Sequence, residues 1–187
     1  MNIEIVAGSP SKTSITYRVV LFLEKLLKEK TNHHIGIIDV RDWHFPALQQ
    51  HVYYKTEDAP DELKPVVQRV FEAHAFILAT PEYNGSYTPA LKILFDHFPK
   101  QSRKAFGIVT ASPGSMGGMR ASQQMQLLIN ALFGIGSPYM LITPFVDKKF
   151  DMDGTLADPG FQRQIDPFIR EFLWLAEKLH PEAPLKD

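Results

Sequence analysis

"NIEIVAGSPSKTSITYRVV", residues 2–20, sets an apolar run before a small polar loop and then a second, periodic apolar segment. Ile3, Ile5, Val6 and Ala7 suit a strand that ends at Gly8, where the chain can turn sharply. From Ser14 onward, Ile15, Val19, Phe22, Leu23, Leu26 and Leu27 recur at helical spacing, with lysines and glutamates between them. The stretch therefore reads as strand, loop, helix.

The same unit recurs. Residues 35–40, "IGIIDV", give a second strand, and Leu63, Val66, Val67, Val70 and Phe71 mark the next helix, with Pro65 in its first turn. Residues 75–80, "AFILAT", are continuously apolar, as in a strand covered on both faces. Residues 86–98 give a helix with Pro89 near its start. Residues 105–112 form a fourth strand, 119–133 a helix, 139–142 a fifth strand, and 162–179 a last helix with Pro167 in its first turn. Five alternations of strand and helix predict an α/β fold with a parallel sheet. The specific expectation is one flavodoxin-like domain over residues 1–187, a three-layer sandwich with a five-stranded parallel sheet of order 2-1-3-4-5.

In such sheets ligands bind beyond the carboxyl ends of the strands, at the point where strand order reverses. The loops after the first, third and fourth strands are "GSPSKTS" (8–14), "PEYNGSY" (81–87) and "SPGSMGG" (112–118). In the first, Ser9, Ser11, Thr13, Ser14 and Thr16 place hydroxyls near a helix N-terminus, whose free N–H groups and partial positive charge suit an anion. A helix cap needs one hydroxyl, so a cluster favours a phosphate. A triphosphate loop needs G-x-x-x-x-G-K-[ST], and Ser11 stands where its second glycine should precede Lys12. A dinucleotide fingerprint lacks its later glycines. A monophosphate loop meets neither objection.

In the second loop, Pro81 stiffens the strand exit and Gly85 permits close approach. Tyr83 and Tyr87 can lie against a flat ring, Asn84 offers donor and acceptor, and Ser86 or Thr88 can cap the helix. In the third, Gly114, Gly117 and Gly118 leave a ledge free of side chains for a planar ring, or simply a flexible loop. Arg120 reads as a partner for a nicotinamide phosphate or a second subunit, or as a surface arginine. The aromatic stretch 42–54, "DWHFPALQQHVYY", reads as a loop packed on its own domain, a subunit interface or a wall of the substrate site.

Composition narrows the classes. A net charge of −1 gives no electrostatic case for nucleic acid or an anionic membrane. The absence of cysteine excludes disulfides, thiolate catalysis and cysteine metal sites. The seven histidines show no H-E-x-x-H spacing, so no metal site is expected, and G-x-S-x-G is absent. No apolar run approaches the roughly 20 residues of a membrane span, and the first residues do not read as a secretory leader, so a cytoplasmic location is expected.

The chain resembles NADPH-dependent FMN reductases of the flavodoxin-like superfamily, a group that includes quinone, azo-dye and chromate reductases. The resemblance is carried by Gly8, Ser9 and Ser14, by Pro81-Glu82-Tyr83-Asn84-Gly85-Ser86, and by Ser112-Pro113-Gly114 with Gly117-Gly118. Residues 150–156, "FDMDGTL", resemble a family feature before the last helix. The resemblance implies FMN as cofactor and NADPH or NADH as electron donor. It implies that Ser9, Ser11, Ser14, Ile15 and Thr16 surround the FMN phosphate. Pro81, Glu82, Tyr83 and Asn84 would line the ribityl chain and flavin ring, largely through backbone groups. Ser112, Gly114, Gly117 and Gly118 would hold the pyrimidine end. No catalytic side chain is implied, because the flavin carries the chemistry. A small-molecule electron acceptor and a homodimer or homotetramer are expected; an FMN-binding electron carrier or redox sensor without turnover is the alternative. The family often has Arg where this chain has Ser11, and Asn where it has Thr16. Without that Arg, one bidentate phosphate partner is missing; Lys12, one position later, could supply a point charge.

Overall fold

Six parallel strands form one sheet in the computed structural model, which describes residues 1–47 and 51–180. Leu48, Gln49 and Gln50 of the aromatic loop, like residues 181–187, lie outside the described residues. The elements run β1 (Asn2–Ala7), α1 (Thr16–Lys30), β2 (His34–Asp39), α2 (Lys64–Glu72), β3 (Ala75–Thr80), α3 (Pro89–Asp96) and β4 (Ala105–Ala111). Then follow α4 (Met119–Ala131), β5 (Ile135–Gly136), β6 (Leu141–Thr143), α5 (Val146–Lys149) and α6 (Gln162–Leu179). The sheet order is β2-β1-β3-β4-β5, with β6 also pairing β4, so the flavodoxin-like order expected from the sequence is present.

The strands alternate sides as period two requires. Ile3, Ile5, Ala7, Ile77 and Val109 point into a core with α1 and α6. Val6, Phe76, Leu78, Phe106 and Ile108 point into a second core with α2, α3 and α4. Helices thus cover both faces, and the loops after β1, β3 and β4 are left at the carboxyl edge.

Three expectations need correction. The fifth strand, expected over 139–142, is two short strands: Ile135 pairs with Ala105 and Leu141 with Val109. Between them the chain leaves the ladder around Pro138, which has no N–H to give. Pro167 lies in the second turn of α6, because the helix starts at Gln162 after a 3₁₀ turn at Pro159–Phe161. The intrahelical bond it removes would have gone to the carbonyl of exposed Arg163. Finally, the helix expected from Ser14 starts at Thr16.

The described part of the aromatic loop packs on its own domain. Tyr53 stacks on His97 with ring centroids 5.6 Å apart, and Phe45 lies 5.2 Å from the same imidazole. The Tyr53 N–H donates to the His97 carbonyl at 2.8 Å.

Candidate functional site

The first loop is built around its own hydroxyls. Ser9 Oγ accepts the Ser11 N–H at 3.4 Å, Ser11 Oγ accepts the Thr13 N–H at 3.3 Å, and Ser14 Oγ accepts the Tyr17 N–H at 3.3 Å. Ser14 therefore is a helix cap, one of the two readings of this segment. The amides of Ser9, Lys12, Ile15 and Thr16 donate to no protein acceptor among the described residues. Free N–H groups at the start of a 15-residue helix suit an anion. Ser9 and Thr16 are buried, and Ser11, Ser14 and Ile15 are half-buried at the rim.

This loop is fixed to the third strand. The Gly8 N–H donates to the Ala79 carbonyl at 2.7 Å. The Thr88 hydroxyl donates to the Gly8 carbonyl and accepts the Leu91 N–H at 3.2 Å, which makes it the N-cap of α3. The Thr88 N–H in turn reaches Thr80 Oγ1 at 3.3 Å, and that hydroxyl donates to the Pro81 carbonyl at 2.9 Å. Two buried threonines thus lace the first and second site loops together. From the sequence alone, Thr88 reads only as a cap.

The second loop is a tight antiparallel turn. Tyr83 and Ser86 exchange backbone bonds at 2.8 and 3.1 Å. Asn84 (φ 51°) and Gly85 (φ 86°) both take the left-handed conformation, the geometry that favours Asn-Gly. Tyr83 and Asn84 are exposed, Pro81 and Glu82 half-buried. Tyr87 packs against the α2–α3–α4 core, and burial raises its phenol above the ordinary value.

The third loop is joined to the second by Glu82. Its carboxylate accepts Arg120 Nε at 2.7 Å and the Arg120 backbone N–H at 3.2 Å, beside the N-terminus of α4. Arg120 is therefore engaged inside the chain, and Glu82 faces α4 with its side chain. The ledge of glycines also divides. A Cβ on Gly117 (φ 61°) would sit 2.7 Å from the Pro144 nitrogen, and one on Gly118 (φ 84°) 3.0 Å from Thr110 Cβ. Both are required by the protein itself. Gly114 is exposed, with only Ser112 Oγ at 3.4 Å from such a Cβ. Ser112 Oγ accepts the Gly114 N–H at 3.0 Å. Thr110, beneath Gly118, has a buried hydroxyl without a partner among the described residues.

Twelve of the thirteen candidate residues thus lie on three loops and Thr16 opens α1, all at one sheet edge, with the loops tied to each other by Thr88, Thr80 and Glu82. The donor set is free amides and hydroxyls at a helix start, then a turn and a glycine loop beside it. It fits a phosphate monoester with an elongated polar tail.

Residues 1–143 match the family model of the NADPH-dependent FMN reductases. The chain belongs to that family. It is 31% identical over 126 residues to the FMN-dependent NADPH-azoreductase of Staphylococcus saprophyticus, covering 63% of this chain and 64% of that one. It is 28% identical over 162 residues to the enzyme of the same description from Staphylococcus haemolyticus, covering 81% and 84%. Among solved structures it superposes on FerB, the flavoenzyme NAD(P)H:(acceptor) oxidoreductase of Paracoccus denitrificans, with a TM-score of 0.80. That superposition has 20% identity and covers 95% of this chain and 97% of the other, a likeness of fold. Like its family, this FMN reductase is an NAD(P)H-dependent FMN oxidoreductase. Among the described residues no cluster of histidines and carboxylates could hold a metal ion, and no helix is long and apolar enough to cross a membrane.

One part of this edge carries no local sequence signal. A pocket of about 310 Å³ adjoins the first loop, lined by Lys12, Thr13, Ser14, Ile15, Tyr17, Arg18, Arg41 and Met152. Its cations come from three separate segments, so no local motif announces it.

Proposed function

We propose that this chain passes reducing equivalents from NADPH to a small, electron-poor acceptor such as a quinone, azo compound or free flavin. The observation that carries the reading is the lacing of three loops into one edge whose free amides suit a phosphate. Ser9, Ser14, Ile15 and Thr16 would hold the FMN phosphate, with the α1 N-terminus supplying partial positive charge. Pro81, Glu82, Tyr83 and Asn84 would orient the ribityl chain and ring, and Ser112, Gly114, Gly117 and Gly118 the pyrimidine edge. Bound FMN supplies hydride acceptance from the nicotinamide and onward electron transfer. The protein's own part is orientation, access and backbone N–H groups aimed at developing negative charge. The rigid Asn84-Gly85 turn and the Glu82–Arg120 pair keep these groups in place without reorganisation.

Assembly as a homodimer or homotetramer in the cytoplasm is part of the same reading. α4 exposes Met119 and Leu127, and Phe133 follows, 63% exposed, all available to a second copy.

A visible spectrum before and after FMN addition tests the core of this. Bound flavin is expected; a protein that stays colourless after FMN addition and dialysis would refute the reading. Anaerobic bleaching by NADPH, followed by reoxidation with a quinone or azo dye, is expected of the enzyme. Bound flavin that NADPH leaves oxidised would mean an electron carrier or sensor instead.

A further inference from the structure

We infer that Thr110, in β4, is a positioning residue for the flavin, its buried hydroxyl completed when FMN is seated against the third loop. This rests on the FMN reading of the site.

Thr110 is 0% exposed, and its Oγ1 has no hydrogen-bond partner among the described residues. A hydroxyl buried in this way costs the fold, and valine would fill the same space without that cost. Among the described residues four other buried polar atoms share the condition, but not the place. His97 follows the end of α3, Gln101 precedes β4, and the Ser137 N–H donates to the Phe106 carbonyl at 2.7 Å, so these three stand at the amino edge of the sheet. Thr143 stands at the carboxyl edge but on the other face, paired with Ala111, which belongs to the α1–α6 core.

Thr110 lies where the second and third loops meet. It follows Ile108 by two residues and so faces the α2–α3–α4 side, next to Thr80, its partner in the β3–β4 ladder. Thr80 gives its proton to the Pro81 carbonyl and accepts the Thr88 N–H, so its hydroxyl is committed to the second loop. Over Thr110 lies Gly118: a Cβ there would stand 3.0 Å from Thr110 Cβ and 3.4 Å from Oγ1. The Gly118 N–H also donates to no protein acceptor among the described residues. Two unpaired polar groups therefore adjoin beneath the seam that Glu82 and Arg120 bridge. The pyrimidine edge of a flavin alternates carbonyl acceptors with an N–H donor, and a hydroxyl can answer either. Seating that edge against Gly118 brings both groups into hydrogen bonding, so a polar defect of the flavin-free fold becomes part of the cofactor's affinity.

The test is Thr110→Val, read by urea unfolding of the flavin-free protein and by fluorescence titration with FMN. The urea midpoint should rise by about 0.5 M, because a methyl group replaces an unpaired hydroxyl, while the Kd for FMN should rise about fivefold. A purely structural residue would weaken both together. Thr110→Ser keeps the hydroxyl and should hold the Kd within about twofold of wild type. An unchanged FMN affinity in Thr110→Val would overturn the inference, as would a Thr110→Ser variant that binds as weakly as the valine one. So would a lowered urea midpoint in Thr110→Val, which would show that the hydroxyl already has its partner in the flavin-free fold. If wild type itself takes up no FMN, the proposed function fails; if wild type and Thr110→Val bind it equally, only this inference does.

Discussion

Ser11 uses its hydroxyl inside the loop, with Oγ accepting the Thr13 N–H at 3.3 Å. It brings no cation to the phosphate site, where relatives often carry an arginine. Ser11→Arg should restore a bidentate partner and tighten FMN about tenfold. Fluorescence titration measures this, and an unchanged affinity would place the phosphate elsewhere. The glycines make a second, paired prediction. Gly117→Ala puts a Cβ 2.7 Å from the Pro144 nitrogen in a left-handed backbone, and should cost about 2–4 kcal/mol of stability. Gly114→Ala meets only Ser112 Oγ, at an ordinary contact distance of 3.4 Å, so urea unfolding should hardly move while FMN affinity falls. These two outcomes separate a glycine needed for folding from one needed for access. The sequence showed three glycines in one loop; only the packing of β6 and Pro144 against them tells which is which.

Between elements, β1 and α2 are joined by a buried charge. Glu4, 4% exposed, accepts Arg69 Nε at 3.0 Å and Nη2 at 2.5 Å, and the same Nη2 reaches the Ile37 carbonyl at 2.7 Å. Gly36 leaves the necessary space: a Cβ there would lie 2.6 Å from Glu4 Oε2. Arg69→Met removes the cation and strands a buried carboxylate, which should cost on the order of 3 kcal/mol in chemical denaturation. The opposite end of the sheet carries a pH effect. His74 Nδ1 accepts the Asn2 N–H at 2.8 Å, and its ring lies 3.9 Å from that of His180. Burial, then His180, the N-terminus and Lys104, hold the His74 imidazole below its ordinary 6.5. The unfolded chain therefore takes up a proton that the folded one resists. Stability is full above about pH 6.5 and falls as pH drops below it. The urea midpoint should decrease from pH 7.5 to 5.5, and His74→Gln should flatten that slope.

At the scale of the molecule, the proposed dimer should run in multi-angle light scattering at twice the chain mass, and Leu127→Lys, on the exposed side of α4, should shift it toward monomer. The sequence alone determined the alternation of strands and helices and the parallel sheet with its order, which puts the loops after β1, β3 and β4 at one edge. Hydrophobic period and loop chemistry are local, so they can be read residue by residue. Tertiary structure decided the rest. It split the fifth strand around Pro138, turned Glu82 toward Arg120, and made Thr88 the tie between loops. It also gathered Lys12, Arg18 and Arg41 around one pocket. Each of these joins residues far apart in the chain, and such contacts follow from how helices settle on the sheet, which no local pattern encodes.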